Sequence, residues 1–115
     1  IRKLDPNIHA GVKYMSQLSR VYFNEPELDD FNRTLFCFAG YNAGPNRIAR
    51  LRKVAQERGL NPNIWFDNVE RVVAEKVSQE TVQYVLNISK YYYAYKLVEE
   101  NEKRRAQAID ALEKK

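Results

Sequence analysis

Apolar residues in this chain recur every three or four positions and nowhere alternate, so helices are the only regular structure the hydrophobic pattern supports. Ile8, Val12, Met15, Leu18 and Tyr22 make one such stripe. Pro6 and Asn7 open it, and Asn24-Glu25-Pro26 closes it, because proline bars the preceding residue from helical geometry. Leu28, Phe31, Leu35, Phe38 and Ala39 share the face of a second helix beginning near Glu27. Phe36 and Cys37 widen that face until the helix is apolar nearly all round. It runs into Tyr41-Asn42-Ala43-Gly44-Pro45-Asn46, where Asn42 or Gly44 can take the left-handed conformation that ends a helix. Pro45 suits the first turn of the next one.

Ile48, Leu51, Val54 and Ala55 give that third helix its apolar side, and Gly59 ends it. The loop Leu60-Asn61-Pro62-Asn63 leads to an apolar plug, Ile64-Trp65-Phe66. Asp67 or Asn68 can cap a short helix through Val69, Val72 and Val73. Ser78 is the N-cap expected for the last and longest helix, whose stripe is Val82, Val85, Ile88, Tyr92 and Tyr95. The pattern predicts an all-α domain of about five helices.

At 115 residues the chain is long enough for one domain with a modest core. No apolar run approaches the roughly 20 residues a membrane span needs. Cys37 and His9 are the only cysteine and histidine, so no internal disulfide and no Cys/His metal site is expected. Cys37 reads as a small buried side chain. A phosphate-cradling glycine loop and a nucleophile elbow are both missing, and no cofactor is expected.

The net charge of +4 is uneven. Residues 45–58 hold Arg47, Arg50, Arg52, Lys53 and Arg58 against Glu57 alone, so the excess positive charge falls on one short helix. Such a helix could meet nucleic acid, an anionic polymer or solvent. Residues 99–115 balance five positive against five negative side chains. Ala106, Ile109, Ala111 and Leu112 give this tail a thin apolar seam: frayed helix, or a helix that needs a partner. Self-association through Lys96–Lys115 is the partnered reading.

Carboxylates are the plentiful chemistry. Glu25, Glu27, Asp29 and Asp30 flank a turn and read as solvated, as do Glu99, Glu100 and Glu102 in the tail. Glu80 differs: it falls in the first turn of the last helix, one turn before Tyr84 and on the same face, although an acid there also simply suits the helix dipole. Tyr91, Tyr92, Tyr93 and Tyr95 crowd one stretch. Adjacent helical positions point about 100° apart, so some of these phenols must face solvent, a groove or a partner.

Three stretches, Asn7–Met15 (NIHAGVKYM), Phe38–Ile48 (FAGYNAGPNRI) and Glu80–Val85 (ETVQYV), resemble successive motifs of the lytic transglycosylases, lysozyme-like enzymes that cleave peptidoglycan. The segments NPNIWFDNVE and YVLNISKYYYAY further resemble the membrane-bound murein transglycosylase branch. The similarity covers residues 4–98, which divides the chain into residues 1–98 of the domain and a charged helical tail, 99–115. The resemblance implies a lysozyme-like helical fold and a glycan cleft at which Tyr41 and Asn42 face the substrate. Glu80 and Tyr84 would line the same cleft, and the Tyr41 hydroxyl would support catalysis. Gly40 stands where the family usually has alanine.

The resemblance also implies a reaction. One glutamic acid protonates the glycosidic oxygen between N-acetylmuramic acid and N-acetylglucosamine, then takes the proton of the muramoyl C6 hydroxyl, which closes on C1 to give a 1,6-anhydro product. No second carboxylate is needed, unlike in two-carboxylate glycosidases. That glutamate lies in a Glu-Ser motif ahead of the Asn-Ile helix, and no glutamate in this chain is followed by serine. The expectation is a lytic transglycosylase domain truncated at its N-terminus, with no catalytic residue of its own, inactive alone and active in its parent. The partner implied is the peptidoglycan strand, in the periplasm of a bacterial envelope, the parent being outer-membrane-anchored in the membrane-bound branch.

Two other readings compete. A peptidoglycan-binding or scaffold module would keep the cleft wall without the acid. A basic nucleic-acid binder would need one continuous stripe of charge, which Arg47, Arg50, Arg52 and Lys53 do not form, so nucleic acid is not expected as a partner.

Overall fold

The computed structural model describes residues 13–14 and 17–114. The proposed first-helix residues Ile8, His9, Val12 and Met15 lie outside them. Among the described residues the chain is helical with no strand. Helical residues 13–14 and 17–21 precede α1 (Asp30–Ala43), α2 (Pro45–Glu57), a π-type turn at Trp65–Val69, α3 (Glu70–Lys76) and the long α4 (Gln79–Glu113). The fold class is as the periodicity predicts.

α1 is the central element. Leu35, Phe36, Cys37, Phe38 and Ala39 are all buried, so α2 packs on one side of it and α4 on another. Trp65 closes the core with its ring edge-on to Phe36, as expected of the plug, although Ile64 beside it is exposed. Phe31 also departs from expectation. It is exposed and packs sideways on Tyr93 and Phe66 instead of facing the core.

The start of α1 corrects the sequence reading. The helix begins at Asp30, not near Glu27, because the Asp29 carboxylate accepts the Asn32 N–H at 2.7 Å and caps it. Arg33 holds the preceding turn by donating to the carbonyls of Phe23, Glu25 and Leu28. Asn32, buried one turn into α1, accepts the Trp65 N–H and so ties the plug to the helix.

Glu25 is not a solvated turn residue either. Its carboxylate takes a two-point bond from Arg52 on α2, at 2.9 and 2.7 Å. Arg52 also donates to the Pro62 carbonyl and to Asn63 Oδ1, with its guanidinium over the Phe36 ring. Buried and fully engaged, Arg52 drops out of the basic face, and Arg58 pairs with Glu75. Arg47, Arg50 and Lys53 remain exposed of the five cations.

Neither Asp67 nor Asn68 caps α3. Asp67 takes a positive φ of 61° and bonds Arg71, while the Asn68 side chain accepts the Asn61 N–H. Cys37 is buried as expected, and burial pushes its thiol up to about 12.

Candidate functional site

The site implied by the motifs lies where the C-terminus of α1 meets the N-terminus of α4. α1 ends because Gly44 adopts φ 99°, donating its N–H to the Gly40 carbonyl at 2.9 Å. Asn42 stays helical, so of the two residues able to end the helix it is glycine that does so. Pro45 then occupies the first turn of α2. The turn is tight: a Cβ at Gly40 would stand 3.3 Å from both the Phe23 ring and the Pro45 Cα. The methyl that alanine would bring has no free space here.

This stop leaves Tyr41 and Asn42 exposed on the final turn of α1. The Tyr14 ring meets Tyr41 edge-on at 5.5 Å between centroids, which steadies the phenol in a pose that keeps nearly half of its surface open.

α4 starts opposite. Ser78 caps it as expected, its Oγ accepting the Thr81 N–H at 3.2 Å. The Thr81 hydroxyl then donates to Asn42 Oδ1 at 2.8 Å. That bond joins the second motif to the third across 39 positions of sequence, and it leaves the Asn42 amide N–H groups directed elsewhere.

One turn further, Tyr84 is half-buried. Burial first, and the neighbouring Tyr41 phenol second, push its hydroxyl above the usual tyrosine value, so the Tyr84 phenol is a protonated donor at neutral pH. Glu80 sits in the first turn of α4, exposed, with no hydrogen bond or ion pair among the described residues. Tyr41 and Tyr84 are thus neighbours, Asn42 is bonded to the α4 first turn, and Glu80 lies free on that same turn.

Thr81 and Tyr14 are the contributors that sequence reasoning did not single out. Both stand inside the quoted motifs, but only the packing shows what each touches. Away from this end, between the first part of α1 and the middle of α4, a cavity of about 580 Å³ is lined by residues including Thr34, Phe38, Tyr92, Tyr93 and Lys96, and by none of Tyr41, Asn42, Glu80 or Tyr84. The tyrosine cluster divides accordingly. Tyr92 packs on Phe38 and Tyr93 on Phe31, while Tyr91 points to solvent.

The arrangement supplies two phenols, an oriented amide and an unpaired carboxylate beside aromatic surface. Such a set can hydrogen-bond and stack on sugar rings. No group of three His, Cys, Asp or Glu able to hold a metal occurs among the described residues.

Comparison with known proteins agrees with the motifs. Residues 2–64 match the model of the transglycosylase SLT domain. A protein of Pseudomonas fluorescens named membrane-bound lytic murein transglycosylase F is 32% identical over 107 residues, covering 78% of this chain and 21% of that protein. Proteins of the same name from Stutzerimonas stutzeri and Shewanella halifaxensis are 33% and 36% identical, each over 78% of this chain. The chain therefore spans about a fifth of the length of the curated relatives it matches. No solved structure matches it significantly. The match over residues 2–64, more than half of the chain, shows that it belongs to the transglycosylase SLT domain family.

Proposed function

We propose that this chain forms a glycan-binding wall of a peptidoglycan lytic transglycosylase, with residues 1–98 as the domain portion and 99–115 as a charged helical tail that continues α4. Tyr41, Asn42, Glu80 and Tyr84 contact the sugar, and Tyr41 supports the reacting centre. The bond cleaved in the parent is the β-1,4 link from N-acetylmuramic acid to N-acetylglucosamine, leaving a 1,6-anhydro end. The Thr81–Asn42 hydrogen bond carries this reading: it holds the polar groups of two motifs together at the chain's surface, where an extended polymer has access.

The acid/base carboxylate is not among these residues. Among the described residues Glu80 is the one acid at the junction, it is exposed, and no glutamate of the chain stands in the family's Glu-Ser motif. The chain alone therefore binds murein without cutting it. Its place of action in this reading is the periplasm of a bacterial envelope, where murein lies, its relatives being named membrane-bound lytic murein transglycosylases; no helix among its described residues is long and apolar enough to cross a membrane.

The test is to incubate the purified chain with murein sacculi. Co-sedimentation that Tyr41→Ala and Asn42→Ala both weaken, with no anhydromuropeptide released, supports the proposal. Release of anhydro products by the chain alone would refute the assignment of the acid, and sedimentation indifferent to both substitutions would refute the site.

A further inference from the structure

Beyond Lys96, the last α4 residue to line the cavity against α1, the helix leaves the packed body. From Tyr93 to Lys114 every residue except Glu99 is exposed, yet the helix runs unbroken to Glu113. A helix of this length is ordinarily held by packing its apolar face, and among the described residues no other element covers this one. The tail is a helix with a partner to find, not a frayed end.

Its sequence says which partner. Tyr95, Val98, Glu102, Arg105, Ile109 and Leu112 follow one another at spacings of three, four, three, four and three. That is the 3.5-residue period of a coiled-coil seam. The apolar members are open to solvent, at 41% for Tyr95, 55% for Val98, 53% for Ile109 and 68% for Leu112. Glu102 and Arg105 at the centre form no ion pair among the described residues, whereas the flanking Lys103 and Lys114 pair within the helix.

The stripe is also its own complement when reversed. We propose that α4 pairs antiparallel with α4 of a second copy of this chain, about a two-fold axis between positions 103 and 104. In that register Tyr95 meets Leu112 of the second copy, Val98 meets its Ile109, and Glu102 meets its Arg105, each layer occurring twice. Every layer joins apolar to apolar or acid to base. Parallel pairing would set Glu102 on Glu102 and Arg105 on Arg105, two like-charge layers in the middle of the seam. Ala106 and Ala108 flank the central layers and let the helices approach closely.

At 1.5 Å per residue the seam runs about 25 Å, which places the contact among small, reversible interfaces. The surface lies apart from the α1–α4 junction, so two glycan-binding walls are carried at opposite ends of one paired rod. Such a pair engages neighbouring strands of a polymeric substrate together, raising avidity without a new sugar contact.

Sedimentation of the 115-residue chain from about 10 μM to about 1 mM tests the pairing. The wild type shows a reversible monomer–dimer equilibrium. Glu102→Arg and Arg105→Glu singly weaken the dimer about tenfold or more, and the double exchange returns it to within about threefold of wild type. A monomer at every concentration overturns the proposal. So do single reversals without effect, or a double exchange that fails to restore pairing. Both substitutions are at exposed positions, and murein co-sedimentation of the same variants reads the glycan site separately, so failure of the dimer and failure of the binding wall are told apart.

Discussion

Replacing Thr81 by valine removes one hydroxyl and keeps the branched shape, so it tests the bond that joins α4 to the last turn of α1, together with the longer 3.3 Å contact of the same hydroxyl with Ser78 Oγ. Thr81 is buried and donates to Asn42 Oδ1 at 2.8 Å. A neutral hydrogen bond of this kind contributes about 1 kcal/mol net. The loss should not grow to the roughly 3 kcal/mol of an orphaned buried acceptor, because Asn42 is exposed and its oxygen regains water. The Ser78 cap on the Thr81 backbone N–H is untouched.

Thr81→Val should therefore cost about 1 kcal/mol in urea unfolding, and Thr81→Ser, which keeps the donor, should recover most of it. Freed from its acceptor role, Asn42 must be ordered again by the ligand. Immobilising one such side chain costs about 0.5–1.5 kcal/mol, so affinity for a soluble murein oligosaccharide should fall about three- to tenfold in calorimetric titration. A double-mutant cycle with Asn42→Ala should show a coupling of about 1 kcal/mol, since the two changes remove one shared bond. Additive effects, with a coupling below about 0.3 kcal/mol, would refute the reasoning: the bond would then contribute neither to stability nor to orienting the asparagine.

Glu25→Gln should destabilise the fold by about 1–2 kcal/mol at neutral pH, a range reduced because the carboxylate is partly exposed. The Arg52 hydrogen bond holds the Glu25 pKa below its usual 4.5. A lowered folded-state value means the contribution is complete above the unfolded value and is lost as pH falls through the folded one. Denaturation midpoints of wild type and variant should thus differ at pH 7 and converge as pH falls below the usual 4.5 and through the lowered folded-state value, and a gap that persists in strong acid would refute the pairing as its cause. Gly44→Ala should cost about 1–2 kcal/mol, because φ 99° is unfavourable for a residue with a Cβ even though open space surrounds it. A thermal midpoint unchanged from wild type would show that the α1–α2 turn does not need glycine.

Much of the helical layout is legible along the chain. The three- and four-residue periods, the stop at Gly44-Pro45, the Ser78 cap and the burial of Cys37 each depend on interactions within a turn or two, which adjacent residues encode directly. The cap at Asp29 was missed because Glu25, Glu27, Asp29 and Asp30 offer several acids within one turn, and the Asn32 N–H selects among them. Tyr41, Asn42, Glu80 and Tyr84 were reached through motif resemblance, not through periodicity.

Tertiary structure alone decided the rest. Whether Glu25 and Arg52 are solvated charges or a pair depends on a contact across 27 positions, and whether Asn42 is a loose amide or an oriented one depends on Thr81, 39 positions away. A charged or polar side chain carries no local mark of its partner. Its fate follows from which helices pack against which, and a repeat of three and four sets the face each helix buries but not the neighbour that covers it.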